Sequence, residues 1–253
     1  MCIRDSLRAN DGSLLTVTDK ITVGNAVDTE EEVVFVPEPT EGCALAVGFA
    51  YKAPNSKSVY MVTKAYKADG SIDETKACAK RAFINERTFL SYFSNFDNVI
   101  VDSKITGIPK DELGFMPWGP NYDPQYGALG KVVNDSRVYL LLGDKKYWIT
   151  SEEVFLGLGY SWNWIEDLSD ELLAKYAVGE EIDYTDRHPN YTLVKYENDA
   201  KVYRLEPNGS GATVKRHVAN EGAFKALGYR WDRIVTIPET EQYPDGELLT
   251  TLQ

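Results

Sequence analysis

The sequence predicts an α+β fold built as a tandem repeat of about three small units. Each unit is expected to be a β-hairpin followed by short helices, and the units to pack into an elongated module. Three observations lead there. One set of residue spacings occurs three times. Each occurrence begins with strand-length alternating runs and continues into a capped, one-sided apolar segment. The chain of 253 residues, 43% hydrophobic and 26% charged, has the composition of a globular protein.

Taken in order, Met1-Cys2-Ile3-Arg4-Asp5-Ser6 resembles the translation of a transposon-end sequencing adapter and is set aside. The chain is therefore expected to be a fragment of a longer reading frame from environmental DNA, with its own N-terminus upstream. Residues 7–24 carry an Asn-Asp-Gly-Ser turn and a Thr- and Val-rich alternation, a strand signal. Leu15 to Asp19 and Ile21 to Val23 resemble the last strand of an immunoglobulin-like or PKD-like surface domain. Residues 25–42, with Asp28, Glu30 to Glu32, Glu38, Glu41, Pro37 and Pro39, read as an acidic linker. Val33 to Val36 could add an edge strand to it.

Unit one spans 43–127, unit two 128–192 and unit three 193–253. Lys52, Lys131 and Lys195 each precede a Val-Tyr pair by seven residues: Val59-Tyr60, Val138-Tyr139 and Val202-Tyr203. Basic pairs follow at Lys80-Arg81, Lys145-Lys146 and Lys215-Arg216. Then come Glu86 and Phe89, Glu152 and Phe155, Glu221 and Phe224. Seven residues beyond each phenylalanine stands an aromatic, Phe96, Trp162 or Trp231.

Unit two shows the elements best. Arg137 to Leu142 and Lys146 to Ile149 read as strands joined at Gly143-Asp144. Thr150 is placed to cap the next helix, with Glu153 completing a capping box, and Gly159 to stop it. Trp162 to Leu168 reads as extended. Ser169-Asp170-Glu171 starts a second helix, which Gly179 is expected to end. Unit three has a longer hairpin turn, Pro207 to Thr213, and unit one an insert, Thr63 to Ala79. A unit of this size cannot bury its aromatics alone, so neighbouring units should share a core.

With Cys2 set aside, Cys43 and Cys78 form an even pair, and other features point to export, so a disulfide is expected between them, the alternative being two buried free thiols. No run approaches the about 18 apolar residues that would span a membrane. The net charge of −12 disfavours nucleic acid and anionic membranes as partners.

The repeat pattern resembles an uncharacterised family found on large exported proteins of candidate phyla radiation bacteria, over residues 50–250. The residues that carry it are Met116 to Pro120, Asp123 to Gly127, Val138 to Gly143, Lys146 to Glu152, Trp162 to Asp167, His188 to Thr192 and Lys201 to Pro207. The resemblance implies an extracellular or cell-surface architecture beside immunoglobulin-like domains. It carries no catalytic residues over.

Candidates for chemistry are few. His217 takes the register position of Trp148 and Ala82, which marks it as structural. Asp186 could orient His188 in an inter-repeat loop, but no Ser or Cys nucleophile is spaced to complete a triad. Asp69 to Glu74 has oxygen ligands but not the alternating acidic loop of a calcium site, and reads as an acidic hairpin. No catalytic residue, metal ligand or cofactor is expected. The candidate contact surface is the proline-stiffened aromatic loop with Phe115, Trp118 and Tyr122. Those aromatics could equally be the connector that packs unit one onto unit two. The sequence thus reads as a non-enzymatic structural or adhesive repeat module. The alternatives are a carbohydrate- or cell-wall-binding module and an accessory part of a secreted hydrolase. The partners this implies are cell-wall polysaccharide or another surface protein.

Overall fold

The computed structural model describes residues 36–124 and 127–250. The adapter-like segment, the strand remnant and most of the acidic linker, with Val33 to Phe35, lie outside the described residues. All the elements below belong to one compact part of the chain, Pro37–Gln253. Among the described residues no helix is long and apolar enough to cross a membrane.

Among the described residues the fold is α+β, with four short α-helices and three mixed sheets. Sheet one begins with an antiparallel meander, β1 (Ala50–Lys52), β2 (Tyr60–Thr63) and β3 (Ala79–Ala82). Helix α1 (Glu86–Leu90) follows. The chain then adds β4 (Val99–Val101) parallel to β1 and β5 (Lys110–Phe115) parallel to β3.

Sheet two repeats this plan with β6 (Ala128–Lys131), β7 (Val138–Leu142), β8 (Lys145–Ile149) and α2 (Glu152–Gly157). Strand β9 (Glu166–Asp167) joins β6, and after α3 (Asp170–Lys175) strand β10 (Ala177–Val178) joins β8, both parallel. Sheet three has β11 (Leu193–Tyr196), β12 (Tyr203–Pro207), β13 (Thr213–His217), α4 (Glu221–Ala226) and β14 (Val235–Ile237), which is parallel to β11. Single bridges Lys215↔Asp245 and Val218↔Leu249 stand where a fifth strand would run. Read from the same edge, the orders are β4-β1-β2-β3-β5, β9-β6-β7-β8-β10 and β14-β11-β12-β13.

Each unit therefore holds more strand than the hairpin expected from its sequence. The hairpins themselves, the insert of unit one and the long turn of unit three are where the residues place them. Three local expectations change. The cap of α2 is Ser151, whose Oγ accepts from the Val154 N–H. Thr150 is held one residue earlier, its N–H and Oγ1 both bonded to the Ile182 carbonyl. Trp162–Trp164 forms a turn of 3-10 helix before β9, instead of an extended run. Helix α3 ends at Tyr176, and Gly179 bonds Lys146 alongside β8 under the Tyr147 ring, where a Cβ would come within 2.6 Å of Cε1.

The helix starts are built alike. Asn85, Ser151 and Asn220 cap α1, α2 and α4 from extended backbone, each accepting from the N–H three residues on. Glu86, Glu152 and Glu221 follow in the first turn, where the helix dipole favours them. Gly159 and Gly228, at φ of 67° and 71°, turn the chain out of α2 and α4, as left-handed glycines do after a helix.

Alternation along the strands divides each sheet into two apolar faces. In β7, Val138 and Leu140 point with Ile149 toward α2, whose Val154 and Phe155 join Leu158 over them. The same cluster contains Val194, Tyr196, Tyr203, Leu205, Val235 and Ile237 of sheet three, so units two and three share one core. On the opposite face Tyr139 and Leu141 pack with Leu168, Leu172 and Leu173. Trp118 and Tyr122 arrive on that face from the connector after sheet one. A third cluster gathers Tyr51, Val62, Ile105 and Ile108 around Cys43 and Cys78. A fourth places Leu193, Val218, Phe224, Leu227 and Leu249 on the outer face of sheet three.

Candidate functional site

Two devices recur in all three units. The first is a lysine on the sheet. Lys80 pairs across from Val62, Lys146 from Leu141 and Lys215 from Leu205. The structural repeat is thus this single lysine. The basic pair at 145–146 sits one residue out of register with the pairs at 80–81 and 215–216. Each ammonium donates to a main-chain carbonyl of the segment leading to the next pairing at the sheet edge, a strand in units one and two and the Lys215↔Asp245 bridge in unit three. Lys80 reaches Ile105 at 2.6 Å, Lys146 Leu173 at 2.9 Å and Lys215 Tyr243 at 2.7 Å. Each also lies over the tyrosine of its Val-Tyr pair, 5.2 Å from the Tyr60 centroid, 5.9 Å from Tyr139 and 5.8 Å from Tyr203.

The second device is an aromatic stack. The phenylalanine of each helix is 1% exposed. The ring seven residues later lies flat on it: Phe96 on Phe89 at 4.5 Å, Trp162 on Phe155 at 4.3 Å and Trp231 on Phe224 at 3.9 Å, with interplanar angles of 11°, 19° and 17°.

The aromatic loop proposed as a contact surface is the connector between sheets one and two. Phe115 is exposed at the end of β5. Trp118 is half-buried, stacked on Tyr122 at 4.0 Å, with its backbone bonded to Asp167 and Ser169. Tyr122 is buried, and its hydroxyl donates to Glu166. Gly119 between them allows a close approach, since a Cβ there would come within 2.6 Å of Tyr92 and 2.7 Å of the Ser91 carbonyl. The structure therefore sends Phe115 outward and folds Trp118 and Tyr122 into the junction. Cys43 and Cys78 are joined in a disulfide, Cα to Cα 5.8 Å.

No family model, no curated protein and no solved structure matches this chain. Its chemistry has to be read from its own side chains.

His188 is buried where units two and three meet. Its Nδ1 lies 2.7 Å from Glu241 Oε1 and its Nε2 2.9 Å from the Leu158 carbonyl. Each ring nitrogen thus faces an oxygen of a different segment, one from each unit. Its backbone N–H donates to the Tyr243 hydroxyl, which in turn donates to Glu241. The carboxylate that orients His188 is thus Glu241, 53 residues away in sequence. Asp186 instead pairs with Arg187. Burial works to raise the Glu241 carboxyl, but hydrogen bonds from His188 and Tyr243 hold it below the usual range. Burial pushes the Tyr243, Tyr92 and Tyr160 phenols up. His217 lies opposite Tyr203, as Trp148 lies opposite Tyr139 and Ala82 opposite Tyr60.

In the insert of unit one, Tyr66 and Ile72 bridge a small hairpin. Asp69 accepts from Ser71, and Asp73 from Thr75 and Lys76. Among the described residues no group of three His, Cys, Asp or Glu side chains is placed to hold a metal ion. A cleft of about 360 Å³ lies between sheet one and unit two, with Arg81, Tyr92, Met116, Leu168 and Asp170 in its walls. A groove of about 420 Å³ between units two and three is lined by Tyr147, Tyr184, Tyr191 and Glu181. Tyr191 holds φ at 68°, a costly conformation for a bulky residue, with the Arg204 guanidinium 4.8 Å from its ring.

Proposed function

We propose that this chain is a non-enzymatic repeat module of an exported or cell-surface protein, with a structural or adhesive role. The observation that supports it most is how the buried and partly buried charges are engaged. Lys80, Lys146 and Lys215 hold carbonyls of their own units. His188 and Glu241 tie the junction of units two and three together. These groups maintain the fold. The Cys43–Cys78 bridge favours an oxidising compartment, and the repeat pattern resembles that of exported proteins.

The test is a panel of chromogenic glycosides, esters, peptides and phosphomonoesters incubated with the full chain. Rates at the blank level are expected throughout. Turnover lost on substitution of His188 or Glu241 would replace this reading with a hydrolase.

A further inference from the structure

Trp162 and Trp231 are 48% and 53% exposed and Phe96 is 46% exposed, although each begins its unit's most regular aromatic contact. Burying an aromatic ring is favourable, so leaving it half open gives up stability. The same surrender occurs three times at one register position. It is not a general looseness of these loops, because Tyr160 and Tyr229, two residues earlier, are buried.

The stack beneath each outer ring fixes its plane before any ligand arrives. A ring held on a buried phenylalanine loses little freedom on binding, which favours affinity. The residue after each ring is Asp97, Asn163 or Asp232, exposed at the same place in each unit, and the Asp232 carboxylate already accepts from the Arg230 guanidinium. A flat apolar plate beside hydrogen-bond acceptors suits a ligand with both C–H faces and hydroxyl donors. The net charge of −12 opposes a polyanion.

The loops of units two and three also adjoin. Arg233 lies 5.4 Å from the Trp164 ring, and Arg230 reaches to 3.9 Å of Glu166. Val235 Cγ1 stands 2.9 Å from where a Cβ on Gly159 would be. The loops that carry Trp162 and Trp231 are thus neighbours on the molecule.

We propose that Phe96, Trp162 and Trp231 are the contact residues of a surface for a neutral polysaccharide, one ring per unit. This goes beyond the structural role and can fail without it.

The experiment measures binding isotherms of the full chain on amorphous cellulose, chitin and insoluble β-1,3-glucan. Trp162→Ala, Trp231→Ala, the double variant and Phe115→Ala run beside the wild type. The wild type is expected to bind at least one polymer. Each tryptophan variant should weaken binding about tenfold, as one stacking contact would, and the double variant should abolish it. Phe115→Ala should bind like the wild type. Because a variant can fail by unfolding, a second arm uses the wild type alone. The bound polymer should protect exposed indoles from oxidation by N-bromosuccinimide. Absence of binding to all three polymers, or binding lost in Phe115→Ala and kept in the double variant, overturns the proposal. So does self-association that the double variant dissolves, which would make the rings a contact between copies.

Discussion

Lys146 and Tyr139 share one face of sheet two, the ammonium 5.9 Å from the ring centroid and 2.9 Å from the Leu173 carbonyl. The lysine thereby joins the central strand of its sheet to the end of α3. Lys145, its neighbour, faces the other way and is exposed.

Lys146→Met should lower the unfolding free energy by about 1–2 kcal/mol, through loss of a charge-assisted hydrogen bond and a cation–π contact. Lys145→Met should stay within about 0.5 kcal/mol of the wild type. Urea unfolding of the two variants decides the register, since the opposite order would assign the tie to Lys145.

The two rings of a stack should differ in their worth to stability. Phe155→Ala removes a side chain 1% exposed in the core shared by units two and three, and should cost about 3–5 kcal/mol. Trp162→Ala removes only the outer ring and should cost about 1 kcal/mol. Thermal melts of both variants give the comparison.

Glu241 gives the junction of units two and three an acid limit. Its folded pKa lies below its ordinary value of 4.5. The stability it contributes is therefore complete above 4.5 and falls away as the pH drops through the folded value. Glu241→Gln should destabilise by about 1–3 kcal/mol at neutral pH, because the amide oxygen can still accept from His188 but the buried carboxylate charge is gone. Chemical denaturation across pH 3–7 should show the gap between wild type and variant closing on the acid side of about 4.5. A gap independent of pH would refute the pairing.

The Cys43–Cys78 bridge closes a loop of 35 residues, and its reduction should cost about 3–4 kcal/mol. Protein made in an oxidising compartment should weigh about two daltons less than the reduced chain. Equal masses would show free thiols.

Local spacing carried much of this fold. The seven-residue step from Phe155 to Trp162 is visible in the sequence, and it becomes a ring stack because a short helix and one 3-10 turn return the chain over itself. The hairpin β7–β8 is legible for the same reason, its partners lying within a dozen residues. Strand β6 is not. Ala128-Leu129-Gly130-Lys131 has weak strand preference, and its parallel partner is the two-residue β9, which only the folded chain brings beside it. The His188–Glu241 contact spans 53 residues and leaves no local pattern. The outward rings could be counted in sequence as aromatics of the repeat. Only the burial of Tyr160 and Tyr229 beside them sets Trp162 and Trp231 apart.

The parallel edge strands bear on how such a chain is made. Ala50 pairs with Val99, Gly130 with Glu166 and Val194 with Val235, so the first strand of each of these sheets gains its parallel partner only from beyond the helix of its own unit. A polypeptide threaded N-terminus first from a ribosome or translocation pore must release a whole unit before that sheet can close. Maturation then advances in steps of one unit, and the core shared by units two and three cannot be sealed until sheet three has emerged.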